Sequence, residues 1–95
     1  MRLSSPEINA LRSILGALDP TGQIYLYGSR VDDQRRGGDI DVYFETSRVI
    51  DLKTKLTTQY RLEKACDTRV DLLIKSRELP DQAIHAIARE KGVLL

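Results

Sequence analysis

Cysteine is nearly absent. Cys66 stands alone, so no internal disulfide is possible, and a reducing, cytoplasmic setting fits that count. A charge imbalance is absent too. Fifteen basic residues face fourteen acidic ones, for a net charge of +1. Nothing therefore argues for bulk attraction to nucleic acid, which needs a basic excess or stripe, and no direct nucleic-acid binding is expected. No stretch approaches the roughly 18 apolar residues of a membrane span, and the N-terminus carries no long apolar run. Neither a membrane segment nor a signal peptide is expected. Repeats, low-complexity tracts and linkers are also missing. At 95 residues the chain reads as one domain, 1–95. A chain of this size buries roughly 60–65 % of its unfolded surface and has little material for a second substrate-binding lobe.

What is present is a regular alternation of helical and extended patterns. Ser4-Ser5-Pro6-Glu7 has the form of a capping box with a proline in the first turn. Ile8, Leu11, Ile14, Leu15 and Leu18 follow at helical spacing, and Asp19-Pro20-Thr21-Gly22 ends the helix. Gln23 to Tyr27 reads as a short strand, and Gly28 to Gly38 as a polar loop with a helical turn after Ser29. Asp39 to Glu45 alternates as a second strand. A long helix is expected from Arg48 to Ala65, capped by Thr46 or Ser47, with Val49, Leu52, Leu56 and Tyr60 as its buried stripe. Arg69 to Ile74 reads as a third strand. Leu79-Pro80-Asp81 opens a last helix with Ile84, Ile87 and Ala88 as its apolar face, stopped at Gly92; Val93-Leu94-Leu95 either docks or adds an edge strand.

The order is α-β-β-α-β-α, an α/β pattern of the α+β-like kind. The helix between the second and third strands is a crossover, so those strands should run parallel. The first and second should run antiparallel. A small mixed sheet covered by helices on one face follows.

The acids carry the chemistry. Asp39 and Asp41 are two apart on a predicted strand, so they project from one face. Two like charges at that distance repel unless a cation lies between them. Magnesium takes oxygen ligands and commonly uses one or two carboxylates plus substrate phosphates. Asp71 interrupts the apolar run Val70-Asp71-Leu72-Leu73-Ile74, and a parallel third strand would bring it to the same spot. Three converging carboxylates match two-metal catalysis, in which the ions steady the attacking and leaving oxygens. Taken singly, Asp-x-Asp is a common solvated edge, and Asp71 could simply cap a strand or pair with Arg69. The conjunction is what points to a site.

Upstream lies Gly28-Ser29-Arg30, where a strand enters a turn. Gly28 lets backbone amides approach an anion. Ser29 offers a hydroxyl at a helix start, which favours phosphate. Arg30 supplies a fork of donors to phosphate oxygens. A lone Gly-Ser is a plain turn; its weight comes from preceding the acids. Arg35 and Arg36 either add phosphate contacts or form a solvated basic loop.

The stretch from Gly28 to Val42, with Gly-Ser, a short variable loop, Asp39-Ile40-Asp41 and a later Asp71, resembles the signature of the DNA polymerase beta-like nucleotidyltransferase superfamily. The small size is similar to the minimal, MNT-type members paired with HEPN-domain proteins in toxin–antitoxin systems. Many members place Ser directly before Asp-x-Asp, where this chain has Gly38. The resemblance implies a polymerase beta palm-like fold and catalytic, metal-binding roles for Asp39, Asp41 and Asp71. It implies nucleotide contacts from Gly28, Ser29 and Arg30. It implies ATP as substrate with two Mg2+ ions, and AMP transfer to a tyrosine hydroxyl of a HEPN-type toxin held in a hetero-oligomer. The larger relatives carry a lobe that grips base or acceptor; here a second polypeptide would complete the site. The rival reading is a non-catalytic antitoxin that neutralises its partner by covering it.

Other residues read as structural. His85 is expected to be a surface or partly packed histidine, and Cys66 a small buried residue. The four tyrosines read as packing residues, with Tyr43 on the acid face and Glu45 too far along the strand to join the metals.

Overall fold

The computed structural model describes residues 3–31, 39–76 and 80–95, with the backbone alone at Ser29 and Val31. The expected elements appear in the expected order. Helix α1 spans Ser5–Leu18, strand β1 Gln23–Tyr27 and strand β2 Ile40–Thr46. Helix α2 spans Leu52–Cys66, strand β3 Val70–Ser76, helix α3 Ala83–Lys91 and strand β4 Val93–Leu94. Leu79, Arg35 and Arg36 lie outside the described residues.

The capping box forms as the sequence implies. The Glu7 amide donates to Ser4 Oγ at 3.2 Å and the Ser4 amide to Glu7 Oε1 at 2.8 Å. Helix α2 begins later than expected. Asp51 caps it, accepting from the Thr54 amide at 2.7 Å. Thr46 and Ser47 are engaged elsewhere: the Thr46 hydroxyl donates to Asp19 Oδ2 at 2.7 Å, and the Ser47 amide donates to the same oxygen at 3.1 Å. The chain leaving β2 is thereby tied back to the end of α1 before α2 can start.

The sheet order is β3-β2-β1-β4. β1 and β2 are antiparallel, with Tyr27 opposite Asp41 and Gln23 opposite Glu45. β2 and β3 are parallel, with Ile40 opposite Val70 and Asp41 opposite Asp71. β4 adds an antiparallel edge beside β1. Strand β3 is the other edge, and α2 shields it: the Val70 amide donates to Glu63 at 3.2 Å and the Leu72 amide to Gln59 at 3.4 Å. Two outward-facing strand amides are thus satisfied by side chains instead of being left open to another chain.

Strand alternation sorts the side chains. Ile24, Leu26, Ile40, Val42, Phe44, Val70 and Leu72 form one cluster with Leu11 and Leu15 of α1 and Leu62 of α2. The opposite face carries Tyr25, Tyr27, Asp41, Tyr43, Glu45, Asp71 and Lys75 by the same alternation. The sequence implies helices on one face only, but α3 lies across this second face. Its His85 ring sits 5.7 Å from the fully buried Tyr43 ring, and Arg89 donates to the Tyr43 hydroxyl at 3.1 Å and to Glu45 at 3.3 Å.

Two helical stripes differ from expectation. Val49, Leu52, Leu56 and Tyr60 are exposed, and α2 buries Thr58 and Leu62 instead. Helix α3 buries His85 and Ala88, leaving Ile84 and Ile87 partly in solvent. In both helices the polar anchors decide the rotation. Gln59 and Glu63 hold α2 against β3, and Arg89 holds α3 against Tyr43.

Candidate active site

The C-terminal end of β1 and the N-terminal ends of β2 and β3 meet at one edge of the second face. The Asp41–Asp71 register pair puts two carboxylates on adjacent strands, pointing the same way. Asp39 stands just before β2, its side chain about half exposed and 3.9 Å from Arg69 Nε. Asp41 responds to the other two acids. Burial first, then the charges of Asp71 and Asp39, push the Asp41 carboxyl above the usual carboxylate range. Tyr27, across from Asp41, is pushed up to about 12 by burial and then by Asp71 and Asp41. Its phenol stays neutral and adds no charge to the cluster.

Gly28 begins a 3-10 helix, Gly28–Val31, with φ of +78°. A Cβ there would fall 2.2 Å from Asp41 Oδ2. The turn is therefore pressed against the central acid, and only glycine fits without moving it. Ser29 lies in the same turn. Arg30 is directed toward α1, its guanidinium 3.6 Å from Glu7 with both side chains mostly buried.

A shallow cleft of about 210 Å³ is lined by Asp39, Gln59, Glu63, Arg69, Val70 and Asp71. Among the described residues, no three or more His, Cys, Asp or Glu are closed into a cation nest. The donor set is all oxygen with three formal negative charges, which suits a hard divalent ion rather than a soft one.

Sequence reasoning alone misses Arg69, Tyr27, Gln59 and Glu63 as residues of the site. Arg69 carries a signal: in the β2–β3 register it stands one step before Val70, as Asp39 stands before Ile40. Tyr27 carries one too, since it shares strand parity with Tyr25 and directly precedes Gly28. The α2 contributions carry none.

His85 and Cys66 serve the fold. His85 is buried, with Nδ1 accepting from the Gln82 amide at 3.0 Å, so it is more enclosed than expected. Burial first, then Glu7, push the Cys66 thiol up, with Arg30 opposing, which fits an inert packing residue. Among the described residues, no helix is long and apolar enough to cross a membrane.

A mixed sheet thus brings acids from two parallel strands together beside a glycine turn. The sequence matches the family described as Polymerase beta, Nucleotidyltransferase over residues 9–95, and the chain belongs to that family. Its chemistry is nucleotidyl transfer. Among curated proteins, none matches.

Proposed function

We propose that this domain transfers AMP from ATP to a tyrosine hydroxyl of a HEPN-type toxin and so acts as its antitoxin. The observation that supports it best is the Asp41–Asp71 register pair, with Asp39 two residues upstream and Gly28 pressed against Asp41. Asp39, Asp41 and Asp71 would hold magnesium, which supplies charge neutralisation at the phosphates. The backbone of the Gly28–Val31 turn would receive phosphate oxygens, with Ser29 and Arg30 assisting once Arg30 leaves Glu7. The tyrosine oxygen attacks the α-phosphorus and the bond to the bridging oxygen of the β-phosphate breaks. Pyrophosphate leaves, and the phenolic proton passes to Asp71. Adding AMP would place bulk and negative charge in the toxin's own site.

A partner that completes the site is supported by size. A cleft of about 210 Å³ falls below the range of pockets that enclose a drug-sized ligand, roughly 300–1,000 Å³. The acceptor protein would supply the missing wall.

The test is incubation of the chain with α-labelled ATP, magnesium and the helical product of the adjacent reading frame. Label should pass to that protein and vanish with Asp41→Asn or Asp71→Asn. Transfer unchanged by both substitutions would overturn the roles assigned to these two acids. A non-catalytic antitoxin is the second reading, favoured by the exposed apolar residues of α2. In that case neutralisation survives both substitutions and no label moves.

A further inference from the structure

Val49, Leu52, Leu56 and Tyr60 are 72, 68, 54 and 59 % exposed. The last three are spaced by four along α2 and so form one ridge. The helix is held to the core by a different edge, through Thr58 and Leu62. Singly exposed apolar residues are ordinary, but a continuous ridge of them marks a contact surface. At 100° per residue, Lys53, Lys64 and Arg61 follow the ridge on its outward side, and all three are exposed. Lys64 Nζ lies 5.4 Å from the Tyr60 ring centroid, so the ridge ends in a cation. Helix α2 carries four basic residues against one acid, Glu63, and Glu63 is turned to the Val70 amide.

The ridge also leads to the site. A hollow lined by Tyr60, Glu63, Lys64, Asp67, Thr68 and Arg69 shares Glu63 and Arg69 with the cleft that holds Asp39 and Asp71.

We propose that this ridge docks an α-helix of a protein partner whose apolar stripe is flanked by acidic side chains, and that docking there places the partner beside Asp39 and Asp71. The proposal rests on the reading of a protein acceptor. A second copy of this chain is a poor occupant, because two-fold pairing of α2 on α2 sets Lys53 and Lys64 against their own kind. An anionic bilayer is also poor. A surface-bound helix sinks a broad apolar face among the headgroups, whereas this ridge is narrow and its helix is fixed to a folded core.

The test titrates the isotope-labelled full chain with a synthetic helical peptide bearing a leucine stripe and glutamate flanks. A lysine-flanked isomer, vesicles of phosphatidylcholine and phosphatidylglycerol, and sedimentation of the chain alone complete it. The glutamate-flanked peptide should shift the α2 amides and those of Arg69 and Asp71. Leu56→Glu, at an exposed position that leaves the melting curve intact, should weaken that binding about tenfold or more. The lysine-flanked isomer should not bind. Equal binding of both peptides, no binding of either, or indifference to Leu56→Glu would overturn the proposal. So would Leu56-dependent binding to vesicles, or a Leu56-dependent dimer, in place of peptide binding. In the labelled-ATP assay, Leu56→Glu should raise KM for the protein acceptor and leave magnesium-ATP stabilisation of the chain unchanged. Docking without transfer defeats the proposed reaction alone; transfer indifferent to Leu56→Glu defeats this surface alone.

Discussion

Two aspartates sit at opposite ends of the β1–β2 ladder and meet opposite fates. Asp19 is buried at the end where β1 begins and β2 finishes. It accepts from the Thr46, Thr21 and Ser47 hydroxyls and from two backbone amides. The Thr46 hydroxyl first, then the Thr21 donors and the Ser47 amide, hold its carboxyl well below the ordinary range. Asp41, at the other end, is partly buried beside Asp39 and Asp71 and is pushed the other way. The same side chain is structural where donors surround it. Where other acids surround it, its charged form is disfavoured.

Exchanging each for its neutral isostere should separate the two ends. Asp41→Asn should cut transfer by roughly 10³-fold, about 4 kcal/mol of barrier, without lowering Tm. Asp19→Asn should do the reverse, lowering Tm by on the order of 10 °C while the folded fraction keeps its turnover. Their pH dependences should also oppose. Asp19's contribution to stability is present above the unfolded pKa and is lost as pH falls below about 4. Asp41's raised pKa means the reverse: its contribution is present at low pH and is lost as pH rises through the folded value. Urea midpoints across the acid range should therefore decline less in Asp19→Asn than in the parent, and more in Asp41→Asn.

Magnesium sharpens the same contrast. With ATP present and free magnesium near a hundred times its Kd, mass action should add about 2.7 kcal/mol to the parent chain. Thermal melts with and without chelator read the gain. It should disappear in Asp41→Asn and persist in Asp19→Asn. A gain retained in Asp41→Asn would move the cation away from this end of the sheet.

The placement of the acids is largely legible in the sequence because a strand's period of two is rigid. Once Ile40-Asp41-Val42 and Val70-Asp71-Leu72 are strands, apolar neighbours fix which way Asp41 and Asp71 point, and a crossover helix makes the strands parallel; Asp39, expected on the strand, stands one residue before it. The structural end is hidden. Asp19 reads as turn chemistry, and its partners Thr46 and Ser47 read as caps for α2, because the contact between them closes over 27 residues. Helix rotation is illegible for a related reason. Leu52, Leu56 and Tyr60 have a helical period, but periodicity does not say whether a stripe meets the core or a partner. Two hydrogen bonds, from Val70 to Glu63 and from Leu72 to Gln59, turn α2 so that Leu62 faces inward. For α3 the deciding contacts are Arg89 to Tyr43 and the His85 ring against Tyr43.

At the Asp41 end lies the glycine turn, whose role is steric. Gly28→Ala adds a methyl 2.2 Å from Asp41 Oδ2 at a backbone with φ of +78°. The site must yield, because the acid can move and the β1–β2 ladder cannot. Transfer should fall about 30-fold, near 2 kcal/mol, with a stability loss of about 1 kcal/mol. Steady-state kinetics should show the loss in kcat, with KM for the protein acceptor little changed. A variant with full turnover would mean that Asp41 is not held by this turn.

The smallest expected effect tests whether α2 supports the acidic end at all. Glu63 Oε2 accepts from the Val70 amide, one residue before Asp71. Removing it leaves an edge amide to find water, a cost of about 1 kcal/mol or less. Glu63→Ala should lower the urea midpoint slightly and raise the magnesium requirement a few-fold, since β3 is then free to fray at the residue that aims Asp71. Glu63→Gln keeps an oxygen acceptor and should restore both. If Gln fails to restore the magnesium requirement while restoring stability, the carboxylate charge itself contributes to cation affinity. Glu63 would then belong with the acids of the site and not with the frame that holds them.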